Sequence, residues 1–137
     1  MAGEKRERIL VIEDEEQLAR FLQTLFESSG YEVHVEPNGT AALKYLAGEQ
    51  VALVVLDLRL PDMSGYDVCR HLRQSFHSWA LPVIMLTGMD RPIDQLRGFA
   101  YGADAYLTKP CDPFEILKTA ALLLGEASLH RDAQGAG

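Results

Sequence analysis

The chain has 137 residues, a formal net charge of −7 and a hydrophobic content of 47%, which suits one globular domain with its own core. The negative charge disfavours a general binder of nucleic acid or of anionic membranes, because both would repel it. The two cysteines, Cys69 and Cys111, have no metal-binding spacing, and no apolar run suits a signal peptide or a membrane span. We therefore expect reduced thiols, a cytoplasmic location and no membrane partner.

The first part of the chain predicts two strand–helix pairs. An apolar run at residues 8–12 indicates a buried strand, and apolar residues at helical spacing follow over residues 15–30, which end on a glycine. Residues 31–36 alternate like a strand. A short helix is predicted over residues 38–48, with Asn38 near its start and Gly48 at its end.

Two further pairs follow in the middle of the chain. A continuous apolar run at residues 51–56 predicts the third strand, and the next helix begins near Ser64. A fourth strand is predicted at residues 81–87. The helix after it spans residues 91–102, with Pro92 in its first turn and a glycine at its end. Its apolar positions share one face: Ile93, Leu96 and Ala100.

The last pair closes the domain. A short strand is predicted at residues 103–108, and a helix over residues 112–125 has Asp112 as its cap. Beyond it the apolar period is lost. We therefore predict one domain at residues 7–125 and a flexible tail or linker at residues 126–137.

Five strand–helix pairs in succession indicate the fold class. Continuous apolar strands that alternate with helices form a mostly parallel sheet covered on both faces, with right-handed crossovers. The sequence therefore predicts a doubly wound α/β domain. In such sheets, functional sites form outside the carboxyl ends of the strands.

Polar residues follow four of the predicted strands. Glu13 and Asp14 come after the first strand, Asp57 after the third, Thr87 at the end of the fourth and Lys109 after the fifth. Each of these residues alone has an ordinary structural explanation, such as a helix cap or a solvated lysine. Their joint occurrence at four strand ends indicates a shared site, provided that these strands are neighbours.

The chemistry of these residues narrows the type of site. Two carboxylates about 4 Å apart repel each other by roughly 4 kcal/mol at an effective dielectric constant of about 20. The three acids must therefore hold a proton, recruit Lys109 or bind a cation. Oxygen ligands favour Mg²⁺, and the lack of His and Cys at these strand ends disfavours zinc. A carboxylate beside a metal and a lysine can also attack phosphorus and form an aspartyl phosphate.

At this point the residues resemble a known family, the response-regulator receiver domain, also called the CheY-like family. The stretches "VIEDEE", "VVLDLRLPDMSGYD", "VIMLTG" and "GADAYLTKP" carry the resemblance, which spans residues 8–124. It implies a five-stranded flavodoxin-like sheet in the order 2-1-3-4-5. It also implies a Mg²⁺ site, in which Mn²⁺ can substitute, made of Glu13, Asp14, Asp57 and a backbone carbonyl near Arg59.

The resemblance also implies a role for each remaining residue. Asp57 is the expected phosphoacceptor, and Thr87 and Lys109 are expected to bind the phosphoryl oxygens. Tyr106 is the expected switch residue, whose rotamer follows Thr87 on activation. The peptide bond between Lys109 and Pro110 is expected to be cis, an isomer found in only about 5–6% of such bonds.

The partners implied are a histidine kinase or a histidine phosphotransfer protein as phosphodonor, and a downstream protein or a missing output domain as target. We expect a signalling switch and not an enzyme, with no direct contact to nucleic acid. Phosphorylation-dependent dimerisation is compatible with the resemblance. Ala105 after Asp104, and Lys118-Thr119 in the last helix, depart from the pattern of relatives with winged-helix DNA-binding domains, which weakens the case for their type of dimer.

Two other functions remain as alternatives. A phosphohydrolase would also use an aspartyl phosphate, but such enzymes usually carry Asp-x-Asp after the first strand, where this chain has Glu13-Asp14-Glu15. A receiver that has lost its chemistry and acts as an interaction domain is the third candidate. The complete set of acids, Thr87 and Lys109 argues against it.

Overall fold

The computed structural model describes residues 6–135, in which five β-strands and five α-helices alternate. None of the helices in this range is long and apolar enough to cross a membrane. The strands are β1 (Arg8–Ile12), β2 (Glu32–Glu36), β3 (Leu53–Leu56), β4 (Val83–Thr87) and β5 (Ala105–Thr108). The helices are α1 (Glu16–Ser28), α2 (Gly39–Gly48), α3 (Gly65–Arg73), α4 (Pro92–Ala100) and α5 (Pro113–Gly135).

The five strands form one parallel sheet in the order β2-β1-β3-β4-β5. This confirms both the doubly wound α/β class and the expected strand order. The three central strands are almost completely buried, whereas the edge strands β2 and β5 are partly exposed. Burial on both faces explains why the central strands are continuous apolar runs without alternation.

Side chains from the central strands alternate between two apolar layers. One layer packs against α1 and α5, and includes Ile9, Val11, Leu53, Val55, Ile84 and Leu86 from the strands. The other packs against α2 and α3, and includes Leu10, Ile12, Val54, Leu56, Val83 and Met85. Both cysteines are free, and burial in the second layer raises the pKa of Cys69 to about 11.

Several helix ends form as their sequence signals predict. Gly30 and Gly102, the expected stops after α1 and α4, have φ angles of +93° and +111°, which glycine adopts without a Cβ clash. Asn38 accepts a hydrogen bond from the first turn of α2 at 2.8 Å. Ser64 and Asp112 accept bonds from the first turns of α3 and α5 at 3.1 Å and 2.9 Å.

The end of α5 differs from the prediction. The sequence analysis ended this helix at Gly125, but the helix continues through Gly135, so the predicted helix end was wrong. The division into a domain at residues 7–125 and a flexible tail or linker at residues 126–137 stays a prediction. Ala127 is buried, and the ring of His130 stacks on Trp79, between α3 and β4, with centroids 4.9 Å apart. These contacts favour continued helix where the lost apolar period suggested a tail. The last two residues of the expected tail lie outside the described residues.

Helix α4 has an unusual pattern of burial, because its large apolar residues are not its buried ones. Its apolar side is exposed to solvent: Ile93, Leu96 and Phe99 are 49%, 66% and 48% exposed. The buried residues of α4 are Asp94 and Gly98. The hydroxyl of the buried Tyr66 on α3 donates to the Asp94 carbonyl at 3.0 Å, so a polar contact ties the first turn of α4 to the domain.

A guanidinium network joins four segments at the amino-terminal edge of the sheet. Arg73, the last residue of α3, donates at 2.8 Å to the carboxylate of Asp104, which precedes β5. The same carboxylate accepts the first N–H of β4 at 2.8 Å. Arg73 also donates at 2.7–3.2 Å to three backbone carbonyls, those of Phe76, Leu81 and Gly102. Both charged side chains are mostly buried.

Replacing Arg73 with methionine is expected to lower the free energy of unfolding by roughly 3 kcal/mol, because Asp104 and three carbonyls lose a partner while buried. Urea denaturation measures this. Arg70→Met is the matched control, because Arg70 is exposed and pairs with the exposed Asp67, and it should change stability by less than about 0.5 kcal/mol. Equal losses in the two variants would contradict a structural role of the network.

Candidate functional site

Three carboxylates lie together at the carboxyl edge of the sheet. Glu13 and Asp14 follow β1, Asp57 follows β3, and these two strands are neighbours, with Ile12 paired to Leu56. One carboxylate oxygen from each acid lies within 4.8 Å of those of the other two. The strand order therefore brings together the three acids that the sequence analysis selected.

Lys109 connects two of these acids. Glu13 and Asp57 are only 4% and 7% exposed, whereas Asp14 is exposed to solvent. The ammonium Nζ of Lys109 donates to Oε1 of Glu13 at 2.9 Å and to Oδ2 of Asp57 at 3.0 Å. Because buried carboxylates repel each other, this shared ammonium offsets much of their repulsion.

The pKa shifts at the site follow from burial and from these hydrogen bonds. Burial raises the pKa of Glu13 above its ordinary value, and hydrogen bonds from Lys109 and from the Glu15 N–H offset this only in part. Burial alone would lower the pKa of Lys109. Its hydrogen bonds to Glu13 and Asp57 outweigh burial, so the pKa of Lys109 is raised and the amine stays charged.

Backbone N–H groups orient the remaining carboxylate oxygens. Oε2 of Glu13 accepts the N–H of Glu15 at 3.1 Å, and Oδ1 of Asp57 accepts the N–H of Arg59 at 3.3 Å. Each acid therefore presents one oxygen to Lys109 and the other to its own loop. Arg59 lies next to the acids, as the resemblance implies, and its carbonyl as a metal ligand stays a prediction.

The loop after Asp57 is tightly closed. Arg59 and Ser64 form an antiparallel bridge, and the N–H of Gly65 donates to the carbonyl of Leu58 at 2.9 Å. A Cβ on Gly65 would collide with the backbone carbonyl of Asp57. Glycine at this position therefore lets the start of α3 lie close to the loop after Asp57, residues 57–64, which we call the acceptor loop after the role expected for Asp57.

Asp62 fixes the tip of the same loop, and the sequence analysis missed it. Its Oδ1 accepts the N–H of Gly39 at 2.9 Å, and its Oδ2 accepts the N–H and hydroxyl of Thr40 at 2.8 Å and 2.6 Å. These bonds lower the pKa of Asp62 to about 2. Asp62 thereby caps α2 from a loop more than twenty residues away, which no local sequence signal indicates.

Thr87 ends β4, and Lys109 directly follows the neighbouring strand β5. The carbonyl of Thr87 accepts the N–H of Lys109 at 2.8 Å, which places the lysine beside the end of β4. The Thr87 side chain is fully buried, and its hydroxyl oxygen accepts the N–H of Met89 at 3.4 Å. The peptide bond between Lys109 and Pro110 is cis, the isomer that the resemblance implies.

Tyr106 lies in the middle of β5 and is directed towards the connection between β4 and α4. Its hydroxyl donates to the carbonyl of Met89 at 2.6 Å. Gly98 of α4 packs against its ring, because a Cβ at Gly98 would lie 2.8 Å from the ring atom Cδ2. The same connection therefore contacts both Thr87 and Tyr106, through the N–H and the carbonyl of Met89.

These residues define what the site can do chemically. Glu13, Asp14 and Asp57 supply only oxygen donors, which suits a hard divalent cation such as Mg²⁺. Lys109 brings a fixed positive charge to Oδ2 of Asp57. A carboxylate with these neighbours is suited to attack an electrophilic phosphorus.

Glu13→Gln is expected to raise the free energy of unfolding at pH 8 in a chelator, because it removes a buried charge while the amide oxygen still accepts from Lys109. Because the pKa of Glu13 is raised in the folded state, Glu13 favours folding below pH 4.5, the ordinary pKa of the group. This contribution to stability is lost as the pH rises through the pKa of the folded state. The advantage of the variant should therefore shrink between pH 8 and 4.5. Urea denaturation at several pH values measures this, with the exposed Glu126→Gln as control. An advantage that grows as the pH falls would contradict a raised pKa.

Comparison with known sequences identifies one family. A family model described as the response regulator receiver domain matches residues 9–121. The chain is 42% identical over 109 residues to the alkaline phosphatase synthesis transcriptional regulatory protein PhoP of Bacillus subtilis. This match covers 80% of this chain and 45% of the relative. It is 37% identical over 110 residues to the response regulator ArlR of Staphylococcus saprophyticus, with coverage of 80% and 49%. The chain therefore spans about half the length of these curated relatives.

Solved structures show the same fold. A CheY-like receiver domain protein from Methanospirillum hungatei superimposes with a TM-score of 0.86 at 26% identity, over 92% of this chain and 99% of that chain. The signal receiver domain of a histidine kinase from Syntrophus aciditrophicus gives 0.79 at 32% identity, over 87% and 90%. With the family model matching most of the chain, this chain belongs to the response regulator receiver domain family.

Proposed function

We propose that Asp57 is the phosphoacceptor of this receiver domain and takes a phosphoryl group from a histidine kinase or a histidine phosphotransfer protein. Receiver domains are the phosphoaccepting switches of two-component systems. One observation carries the assignment to Asp57. It is the acid that ends the central strand β3, bonds to Lys109 at 3.0 Å and lies within 4.8 Å of both Glu13 and Asp14.

The transfer step follows from these contacts. An Asp57 oxygen attacks the phosphorus of a phosphohistidine, the P–N bond breaks, and the histidine nitrogen leaves and takes up a proton. Lys109 neutralises negative charge that develops on the phosphoryl oxygens, since its Nζ already contacts Asp57. Thr87, at the end of the adjacent strand, donates its hydroxyl to one of those oxygens after a rotation of its side chain.

The acids are the proposed holders of Mg²⁺, with Mn²⁺ as a substitute. The carboxylates of Glu13, Asp14 and Asp57 and the backbone carbonyl of Arg59 are the ligands. The bound metal supplies charge neutralisation at the phosphoryl oxygens. Asp14 would be the solvent-exposed member of this ligand set, whereas Glu13 and Asp57 are buried.

The proposed switch runs through Thr87 and Tyr106. The connection after β4 touches both side chains through Met89, so movement of Thr87 towards a phosphoryl group alters the contact that holds Tyr106. That connection leads directly into α4, which presents an exposed apolar side. We propose this side of α4 as the phosphorylation-dependent surface for a downstream protein, an output domain or a second copy.

The domain is proposed as a signalling switch and not as an enzyme. Asp57 both receives the phosphoryl group and loses it by hydrolysis, so turnover of an external substrate is not its purpose. The relatives that the chain matches are roughly twice as long, and the transcriptional role is named for the relative from Bacillus subtilis. Both cysteines are free, which favours the reducing cytoplasm as the compartment.

Incubation with Mg²⁺ and a small-molecule phosphodonor is expected to add one phosphoryl group to the wild type and none to Asp57→Asn. The amide of the variant is a poor nucleophile, so the adduct depends on the carboxylate. Intact-mass spectrometry measures the adduct, and chelator added beforehand should abolish it. Asp62→Asn is the matched control, because it changes a carboxylate in the same loop that does not contact Lys109.

An adduct of equal yield on Asp57→Asn would contradict the assignment of the acceptor. No adduct on the wild type, together with no Mg²⁺ binding by calorimetry, would favour the phosphate-independent interaction domain. Steady release of phosphate from many equivalents of a phosphomonoester would instead support the phosphohydrolase alternative.

Lys109→Met is expected to tighten Mg²⁺ binding by about tenfold, because it removes a positive charge that contacts two of the three proposed ligands. The same variant should accept phosphoryl groups more slowly. Isothermal titration calorimetry measures the affinity. Lys44→Met removes the same charge from an exposed position on α2 and should leave the affinity within about twofold. Weaker binding in Lys109→Met would mean that the lysine orders the carboxylates and does not compete with the cation.

A further inference from the structure

The outward side of α5 carries large apolar residues that are mostly exposed to solvent. The inward side of the helix packs on the domain through buried residues: Ile116, Ala120, Leu124 and Ala127. On the opposite side, Phe114, Leu122 and Leu129 are 79%, 60% and 71% exposed. Repeated large apolar side chains on one helix face form a typical surface for docking another helix.

Two charges and a glycine form the central line of this surface. Lys118, Gly125 and Asp132 are spaced by seven residues, the repeat that keeps positions on one side of a packed helix pair. Neither charge belongs to an ion pair within the described part of the chain. We call these three residues, together with Phe114, Leu122 and Leu129, the outer face of α5.

Gly125 has no role in the packing of a single chain. A Cβ at this position would meet no atom within 4 Å, and its φ is not positive. Glycine in the interior of a helix is unfavourable, so the domain itself gains nothing from it. A second helix that crosses at this point could approach more closely, because the distance between packed helices depends on the size of the side chains at the contact.

We propose that a second copy of this chain docks antiparallel on the outer face of α5, with the two-fold axis at Gly125. Lys118 and Asp132 lie seven residues on either side of the axis, so each lysine faces the aspartate of the other copy. The pair forms twice, as a two-fold interface requires. A parallel pair would instead bring lysine against lysine and aspartate against aspartate. The self-complementary charges therefore favour a second copy of this chain as the partner and an antiparallel arrangement of the two helices.

This dimer goes beyond the proposed function and does not depend on it. The outer face of α5 contains none of the residues at the carboxyl edge of the sheet, so the contact forms without phosphorylation. It also includes Leu129 and Asp132, which lie in the helical extension beyond Gly125. The extension thus supplies half of each Lys118–Asp132 pair.

Sedimentation equilibrium of the 137-residue chain in a chelator tests the proposal. The wild type is expected to form dimers, and Lys118→Glu or Asp132→Lys should each raise the dimer dissociation constant by about tenfold or more, because two like-charge contacts replace two ion pairs. The double variant Lys118→Glu/Asp132→Lys should restore dimerisation to within about threefold of the wild type. It keeps the net charge of −7, so a general charge effect does not explain the rescue.

Phe21→Glu is the matched control, because Phe21 on α1 is 45% exposed and lies outside both the outer face of α5 and the exposed side of α4. It should not change the dissociation constant, whereas Leu129→Glu should weaken dimerisation. A monomeric wild type at about 1 mM would overturn the proposal. Failure of the double variant to recover dimerisation would also overturn it. So would dissociation caused by Leu96→Glu while the charge variants have no effect, because that result would assign the contact to α4.

Discussion

Two carboxylates that are almost buried side by side form the constraint around which this domain is built. Glu13 and Asp57 follow adjacent central strands, and their repulsion at this depth requires a cation. Lys109 supplies it from β5, two strands away from β3. The lysine side chain must therefore reach across the end of β4, where the backbone N–H of Lys109 donates to the carbonyl of Thr87. The strand order places the acid cluster, Thr87 and Lys109 at one edge and so meets this electrostatic requirement.

Polar contacts of long sequence separation fix both edges of the sheet. At the carboxyl edge, Asp62 holds the acceptor loop against the start of α2, and Gly65 lets that loop lie against α3. At the amino edge, Arg73 and Asp104 join α3 to the starts of β4 and β5. Apolar layers form the middle of the domain, and charged groups with several partners determine how the connections are arranged at its ends.

The sequence predicts the parts of this domain that depend on local patterns. Continuous apolar runs locate the central strands, and the polar residue after each run therefore locates Asp57 and its neighbours. The contacts of Asp62 and Arg73 are not predictable in this way, because their partners are distant in sequence and depend on loop geometry. The end of α5 was misplaced because burial of Ala127 outweighs a glycine signal. The buried side of α4 was not predictable, because periodicity does not tell which side of a helix is covered.

The inverted burial of α4 has a thermodynamic consequence. This helix contributes Asp94 and Gly98 to the buried part of the domain, while its large apolar side chains are already in water. A shift of α4 relative to the sheet therefore exposes or covers little apolar surface. The heat-capacity change of such a shift is correspondingly small. The enthalpy and entropy of an equilibrium between two positions of α4 would thus change little with temperature. The balance between these positions would be governed by polar contacts at the first turn of α4 and by whatever covers its exposed side.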